Sequence, residues 1–163
     1  MTFKSPPAPN PNSILPGLLS ESEILQISEI FESLVTYASS KNNSVGFVYD
    51  PTAKKVVVQS EESPHHPLHH VSIRLIDLFT RNIATSENYF LLNNDVFLYH
   101  EPCCFCCMAL IHSRVRRVWF IHPIENGSIT KFKVPYAGVN HKMFCASVTL
   151  NKDIHSTSCQ CGQ

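Results

Sequence analysis

The run Pro102-Cys103-Cys104-Phe105-Cys106 constrains this chain more than any other stretch of it. A short β-rich segment, Val96 to Tyr99, passes almost directly into Pro102, and an apolar stretch follows to Ile111. A proline is favoured in the first turn of a helix, because the N–H it lacks would have had no partner there. The spacing predicts a strand, a sharp entry, and a helix over about Cys103 to His112. Two thiols three residues apart then sit near the positive end of a helix dipole, which favours the thiolate forms that bind metal. His70, thirty-three residues upstream, opens the next earlier predicted helix. One His and two Cys brought together in this way make the three protein ligands of a zinc site with a fourth position left over.

Alternatives exist at both ends of this set. Cys104 and Cys107 form a second C-x-x-C one residue along, and His65, His66 and His69 lie beside His70. A C-x-x-C can also be redox-active, or simply packed as small apolar residues. Position after Pro102 favours Cys103 and Cys106 as ligands and leaves Cys104 and Cys107 to pack.

Around this centre the pattern alternates. Residues 1–17 hold five of the eleven prolines among small polar residues, and form a flexible leader. Ser20 with Glu23 reads as a capping box, and Ile24, Ile27, Phe31 and Leu34 recur at helical spacing, predicting a helix to about Tyr37. Val45–Tyr49 and Val56–Val58, joined through Asp50-Pro51-Thr52, predict an antiparallel hairpin. Val71, Leu75, Leu78 and Phe79 predict a helix over 70–81, Tyr89–Leu92 and Val96–Tyr99 two short strands, and Val115–His122 another. Such alternation implies a mixed sheet covered by helices. The expected organisation is the leader, one domain over 18–150, and a polar tail over 151–163 carrying Cys159 and Cys161.

Charge narrows the partners. The 163 residues balance at 13 basic and 13 acidic, which excludes a wholly polybasic nucleic-acid arm. Residues 1–101 nevertheless carry 6 basic against 11 acidic side chains, and residues 102–163 carry 7 against 2. Arg114, Arg116, Lys131, Lys133 and Lys142 fall in the basic part and are the candidates for contact with nucleic-acid phosphates. If 115–122 is a strand, Arg114 and Arg116 share one face and Arg117 takes the other. The longest apolar run is too short for a bilayer and there is no signal-peptide pattern, so the expected setting is the cytosol or nucleus, without membrane attachment. An odd count of seven cysteines fits reduced thiols there.

His66-Pro67-Leu68-His69-His70, the block His100-Glu101-Pro102-Cys103-Cys104-Phe105-Cys106-Cys107-Met108-Ala109-Leu110-Ile111-His112-Ser113-Arg114, and Asn140-His141-Lys142 together resemble the cytidine deaminase-like superfamily in its tRNA adenosine deaminase branch. The nearer likeness is to the silent subunit of the eukaryotic heterodimer that converts the wobble adenosine of tRNA to inosine. The resemblance implies a three-layer α/β/α fold with a mixed central sheet, Zn2+ on His70, Cys103 and Cys106, and pairing with a catalytic subunit that retains H-x-E. It also implies tRNA bound through the heterodimer and a place in nucleus and cytoplasm. Active members carry a Glu two positions after the His, which shuttles the proton from zinc-bound water. Here that position is Ser72. Asp77 lies two helical turns further on, and Glu61 and Glu62 fall in a loop with nothing in the sequence to fix them at the metal. Loss of the general acid/base typically costs about 10² to 10⁴ in rate, so no useful deamination is expected of this chain by itself. The stretch before His65 is also too short for the long tRNA-capturing N-terminal domain of such subunits. The rivals are an active zinc deaminase that borrows a carboxylate, and an interaction module without a tRNA role.

Overall fold

The computed structural model describes residues 20–84, 91–128 and 131, together with the backbone of strand segments 137–138, 141–142 and 144–147. The expected leader and polar tail lie outside these residues. The elements are α1 (Glu21–Lys41), β1 (Val45–Asp50), β2 (Lys55–Glu61), α2 (Val71–Asn82), β3 (Asp95–His100), α3 (Cys104–His112), β4 (Arg117–His122), β5 (Ala137–Gly138), β6 (His141–Lys142) and β7 (Phe144–Ser147). Among the described residues, no helix is long and apolar enough to cross a membrane.

The sheet is mixed, with strand order β2-β1-β3-β4-β7. β1 pairs antiparallel with β2 and β3, whereas β3–β4 and β4–β7 are parallel. Alternation along each strand divides the core in two. Phe47, Phe97, Tyr99, Trp119 and Ile121 meet α1 on one face through Ile27, Phe31 and Leu34. Val48, Val96, Leu98, Val118 and Phe120 meet the helices of the other face through Leu75, Phe79, Leu110 and Ile111. Three layers result, as the α/β/α expectation requires.

The capping box at Ser20 and Glu23 is present, but α1 continues a turn beyond Tyr37 and stops at Asn42, whose φ of 51° is left-handed and whose N–H donates to the Ala38 carbonyl. The β1–β2 turn forms because Asp50 Oδ1 accepts the N–H groups of Thr52 and Ala53. Over this hairpin α2 comes unusually close. A methyl on Gly46 would stand 2.7 Å from Val71 Cγ1 and 2.9 Å from Leu75 and Leu98, so only glycine lets the start of α2 rest on the sheet.

Three local expectations need correction. Leu91 and Leu92 are not strand: the Leu91 N–H donates to the Ser113 carbonyl and its own carbonyl accepts the Asn94 N–H, which folds the segment into a turn that buries Leu91. Pro102 does not occupy the first helical turn. Cys103 takes an extended conformation and is the N-cap of α3, because it forms an isolated bridge to Gly127. Arg114 is not on a strand face either. With φ at 60° it makes the turn that releases the chain from α3, and β4 begins only at Arg117.

Asp95 anchors the end of the sheet away from the cysteines. It is 1% exposed, accepts both Nε–H (2.8 Å) and Nη–H (3.0 Å) of Arg116, and pairs with Arg117 Nη2 at 2.6 Å. Arg117 is itself buried, with Glu23 of α1 3.7 Å away. Replacing Asp95 by Asn keeps the shape and removes the charge that two guanidinium groups need. We expect Asp95→Asn to lower stability by on the order of 3 kcal/mol, because Arg116 and the buried Arg117 lose the carboxylate they share and only the more distant Glu23 remains beside Arg117. Urea unfolding of the two proteins at neutral pH checks this.

Candidate metal centre

The site assembles where two helices begin. His70 is the N-cap of α2 and Cys103 the N-cap of α3, and Cys106 follows one turn into α3. Neither cap uses its side chain to satisfy its own helix, so the imidazole and the thiol are turned to other work. His70 Nδ1 lies 3.2 Å from Cys106 Sγ and 3.5 Å from Cys103 Sγ. The three ligand atoms all fall within 4.8 Å of one another. Cys106 is buried, and His70 and Cys103 are half-buried. The donor set is one imidazole nitrogen and two thiol sulfurs, the chemistry that zinc favours over hard cations such as magnesium or calcium.

The shell around these atoms is tightly built. Pro102 presents its carbonyl to both the N–H (3.2 Å) and the hydroxyl (2.8 Å) of Ser128. His100, at the end of β3, has Nδ1 3.1 Å from the Ser44 hydroxyl. Next to it on the sheet, burial holds the His122 imidazole below its ordinary pKa, which keeps that ring neutral at pH 7. Glu101 is 2% exposed and accepts the Ile124 N–H at 3.3 Å. Its carboxylate fills the space above Gly127, where any Cβ would collide with it.

His70, Cys103 and Cys106 themselves, with Ser44, Glu62, Ser72, His100 and Glu101 among others, line a half-open cavity of about 20 Å³. That is room for about one water. Ser72 is 2% exposed at this wall. Asp77 faces elsewhere, in an exposed pair with Arg81 at 2.8 Å.

The alternatives in the sequence separate clearly. Cys104 and Cys107 are not among the converging atoms. Cys107 belongs to the core under α3, and its burial pushes the thiol up, with the Ser128 hydroxyl offsetting only part of the effect. His65, His66 and His69 are exposed, and the rings of His66 and His69 stack on each other at 3.9 Å. Of the basic candidates, Arg116 is held by Asp95, Lys131 donates to the Asn126 side chain at 2.8 Å, and Arg114 sits in its turn. Lys133 and the Lys142 side chain lie outside the described residues. Sequence reasoning set Glu62 aside, although it lines the cavity, and missed the Ser44–His100 pair. A hydrogen bond between residues 56 apart leaves no local signal, and Glu62 lies in an irregular loop whose path depends on the folded neighbours.

No family model matches the chain. Among curated proteins it is similar to the tRNA-specific adenosine deaminase subunit tad3 of Schizosaccharomyces pombe, 28% identical over 145 residues that make up 77% of this chain and 46% of that protein. The subunit TAD3 of Saccharomyces cerevisiae is 39% identical over 90 residues, 50% of this chain and 28% of that one. A Homo sapiens relative carries the name Probable inactive tRNA-specific adenosine deaminase-like protein 3, at 36% over 47 residues, 28% of this chain and 13% of that protein. The chain thus spans less than half the length of the curated relatives it matches. Among solved structures, one from studies of A-to-I editing by tRNA:A34 deaminases superposes with a TM-score of 0.54 at 17% identity, covering 71% of this chain and 86% of that one. A dCMP deaminase from the cyanophage S-TIM5 gives 0.51 at 11%, covering 74% and 97%. The fold is cytidine deaminase-like, and the Tad3 subunits are homologues of this chain.

The packing at Gly127 is directly testable. Gly127→Ala forces the buried Glu101 carboxylate aside and strains the bridge that sets Cys103 as a cap. It should lower stability by about 1–3 kcal/mol, the usual range for overpacking, and weaken metal binding in parallel. Thermal unfolding and competition against a zinc chelator read the two effects.

Proposed function

We propose that this chain, a homologue of the Tad3 subunits built on the cytidine deaminase-like fold, is the zinc-holding and catalytically silent half of a tRNA adenosine deaminase that edits the wobble position to inosine. The observation that carries this reading is the pairing of an intact ligand set with a disabled pocket. His70, Cys103 and Cys106 converge, while the position two after His70 is a buried serine. Zinc in a catalytic deaminase activates water for attack on the base, and a Glu must move the proton. Ser72 has no ionisable proton near neutral pH to move, and Glu101 is locked against Gly127.

In this reading zinc acts on the fold. Held by His70, Cys103 and Cys106, it ties the first turns of α2 and α3 together, and its binding energy becomes folding energy. The partner is a deaminase chain that keeps H-x-E. Beside His70 the surface offers it Leu68, Phe105 and Met108, respectively 54, 50 and 43% exposed, an apolar face that water alone covers poorly. The Phe105 ring stands edge-on to His70 at 6.1 Å, so the same helix turn holds the ligand and presents the face. Contact with tRNA phosphates through Arg114, Arg116, Lys131, Lys133 and Lys142 belongs to the same proposal, as does action in nucleus and cytoplasm.

The test is the native mass of the complex purified from its own cells through a tag on this chain. The expected result is a one-to-one complex with an H-x-E chain and one zinc on each subunit. Phe105→Asp should release the partner while this chain keeps its zinc, whereas Cys106→Ser should lose the zinc. A lone or self-paired chain without metal overturns the reading, as does inosine formation in tRNA by the isolated chain.

A further inference from the structure

A second cavity, of about 340 Å³, opens at the end of the sheet away from the metal ligands, between the start of α1, the β1–β2 turn and the starts of β3 and β4. Three cations border it, Lys54, Arg116 and Arg117, against two carboxylates, Glu23 and Asp95. We propose that this cavity seats a phosphate group, held by Arg116 Nη1 and Lys54 Nζ. Where that phosphate belongs to RNA, the inference rests on the tRNA reading above; the seat itself does not involve the metal.

Both carboxylates are already committed. Asp95 Oδ1 accepts the Arg116 Nε–H at 2.8 Å, and Oδ2 accepts N–H groups of Arg116 Nη2 at 3.0 Å, Arg117 Nε at 2.9 Å and Arg117 Nη2 at 2.6 Å. One buried negative charge thus faces two guanidinium groups. Glu23 Oε2 accepts the N–H and the hydroxyl of Ser20, the cap of α1, and its Oε1 stands 3.7 Å from Arg117 Nη1. Three positive charges against two negative leave the lining one positive charge in excess.

The donors left over are those an oxyanion takes. Among the described residues, Arg116 Nη1 and Lys54 Nζ bond to nothing, and neither does the Thr52 hydroxyl that also lines the cavity. Asp95 grips the other edge of the Arg116 guanidinium, so Nη1 is presented in a fixed place and little freedom is lost when it binds. The Arg116 side chain is 32% exposed and that of Arg117 only 6%, so Arg116 is the one a ligand can reach. The turn that carries Lys54 is set by Asp50 Oδ1, which accepts the N–H groups of Thr52 and Ala53, and the backbone at Lys54 is left-handed, with φ at 53°. The guanidinium groups disfavour a metal cation, and an apolar ligand would leave the free donors unpaired. A phosphate brings negative charge and several acceptor oxygens, and so answers both.

Calorimetric titration of the full chain at low and constant ionic strength tests the seat, with inorganic phosphate, adenosine 5′-monophosphate and a single-stranded oligoribonucleotide as probes. Lys54→Gln changes an exposed turn residue and should weaken binding about 10-fold, as should Arg116→Gln, while Lys55→Gln, outside the lining, leaves it unchanged. Oligoribonucleotide held through Lys54 and displaced by inorganic phosphate supports the seat and assigns it to RNA. Phosphate or the mononucleotide held through Lys54, with no binding of the oligoribonucleotide, supports it and assigns it to a small molecule. Binding of none of the three, or binding that Lys54→Gln and Arg116→Gln leave unchanged, overturns it. The tRNA reading is decided separately, by the composition of the native complex.

Discussion

The site depends on one geometric constraint, that two helices begin side by side at the same end of the sheet. A helix N-cap has extended backbone and a side chain free of the helix cylinder, so a cap can project toward a neighbour. His70 and Cys103 both hold this position. Neither placement is local. Cys103 is extended because it bridges to Gly127, and His70 lies where it does because Gly46 lets α2 settle onto β1 and β3. A methyl group on Gly46 would press on Val71, next to His70, and one on Gly127 would press on Glu101, two residues before Cys103.

The opposite end of the sheet is held by charge. Asp95 and Arg117 start β3 and β4, and their buried ion pair beside α1, with Arg116 also on Asp95, holds the register of the parallel pair. The register carries through the strands, so that His100 pairs with His122 and the turn into Cys103 leaves from a fixed point. Arg116, which sequence alone offers to a nucleic acid, is thus engaged by Asp95 within the fold. Buried ion pairs contribute little net stability over apolar packing, and their strength as a device is specificity. Here they set which residues stand opposite one another.

Much of this was legible in the residues. The α1 cap, the β1–β2 hairpin, α2 and α3 follow from spacing and turn chemistry, since those signals act over a few residues. Departures occur where a distant group intervenes. Leu91 is drawn into a turn by the Ser113 carbonyl, Pro102 is displaced from the helix by the bridge of Cys103 to Gly127, and Arg114 forms a left-handed turn between α3 and β4. Likewise, position after Pro102 was enough to favour Cys103 and Cys106 over the second C-x-x-C. The burial of Cys107 among Leu110 and Ile111 then shows why that second pair packs.

By itself the sequence determined the chemistry on hand: an imidazole and two thiols at helix-starting positions, and Ser72 where a proton-carrying Glu would stand. Identity at a position is a covalent fact, and no fold can alter it. Only the tertiary structure decided what surrounds those atoms. It left about 20 Å³ between His70, Cys103, Cys106 and their neighbours, locked Glu101 over Gly127 and brought Glu62 into the lining. The physical reason is that the space around these atoms is set by packing between segments far apart in the chain, such as Ser44 against His100 and Glu101 against Gly127, and no local pattern encodes such distances.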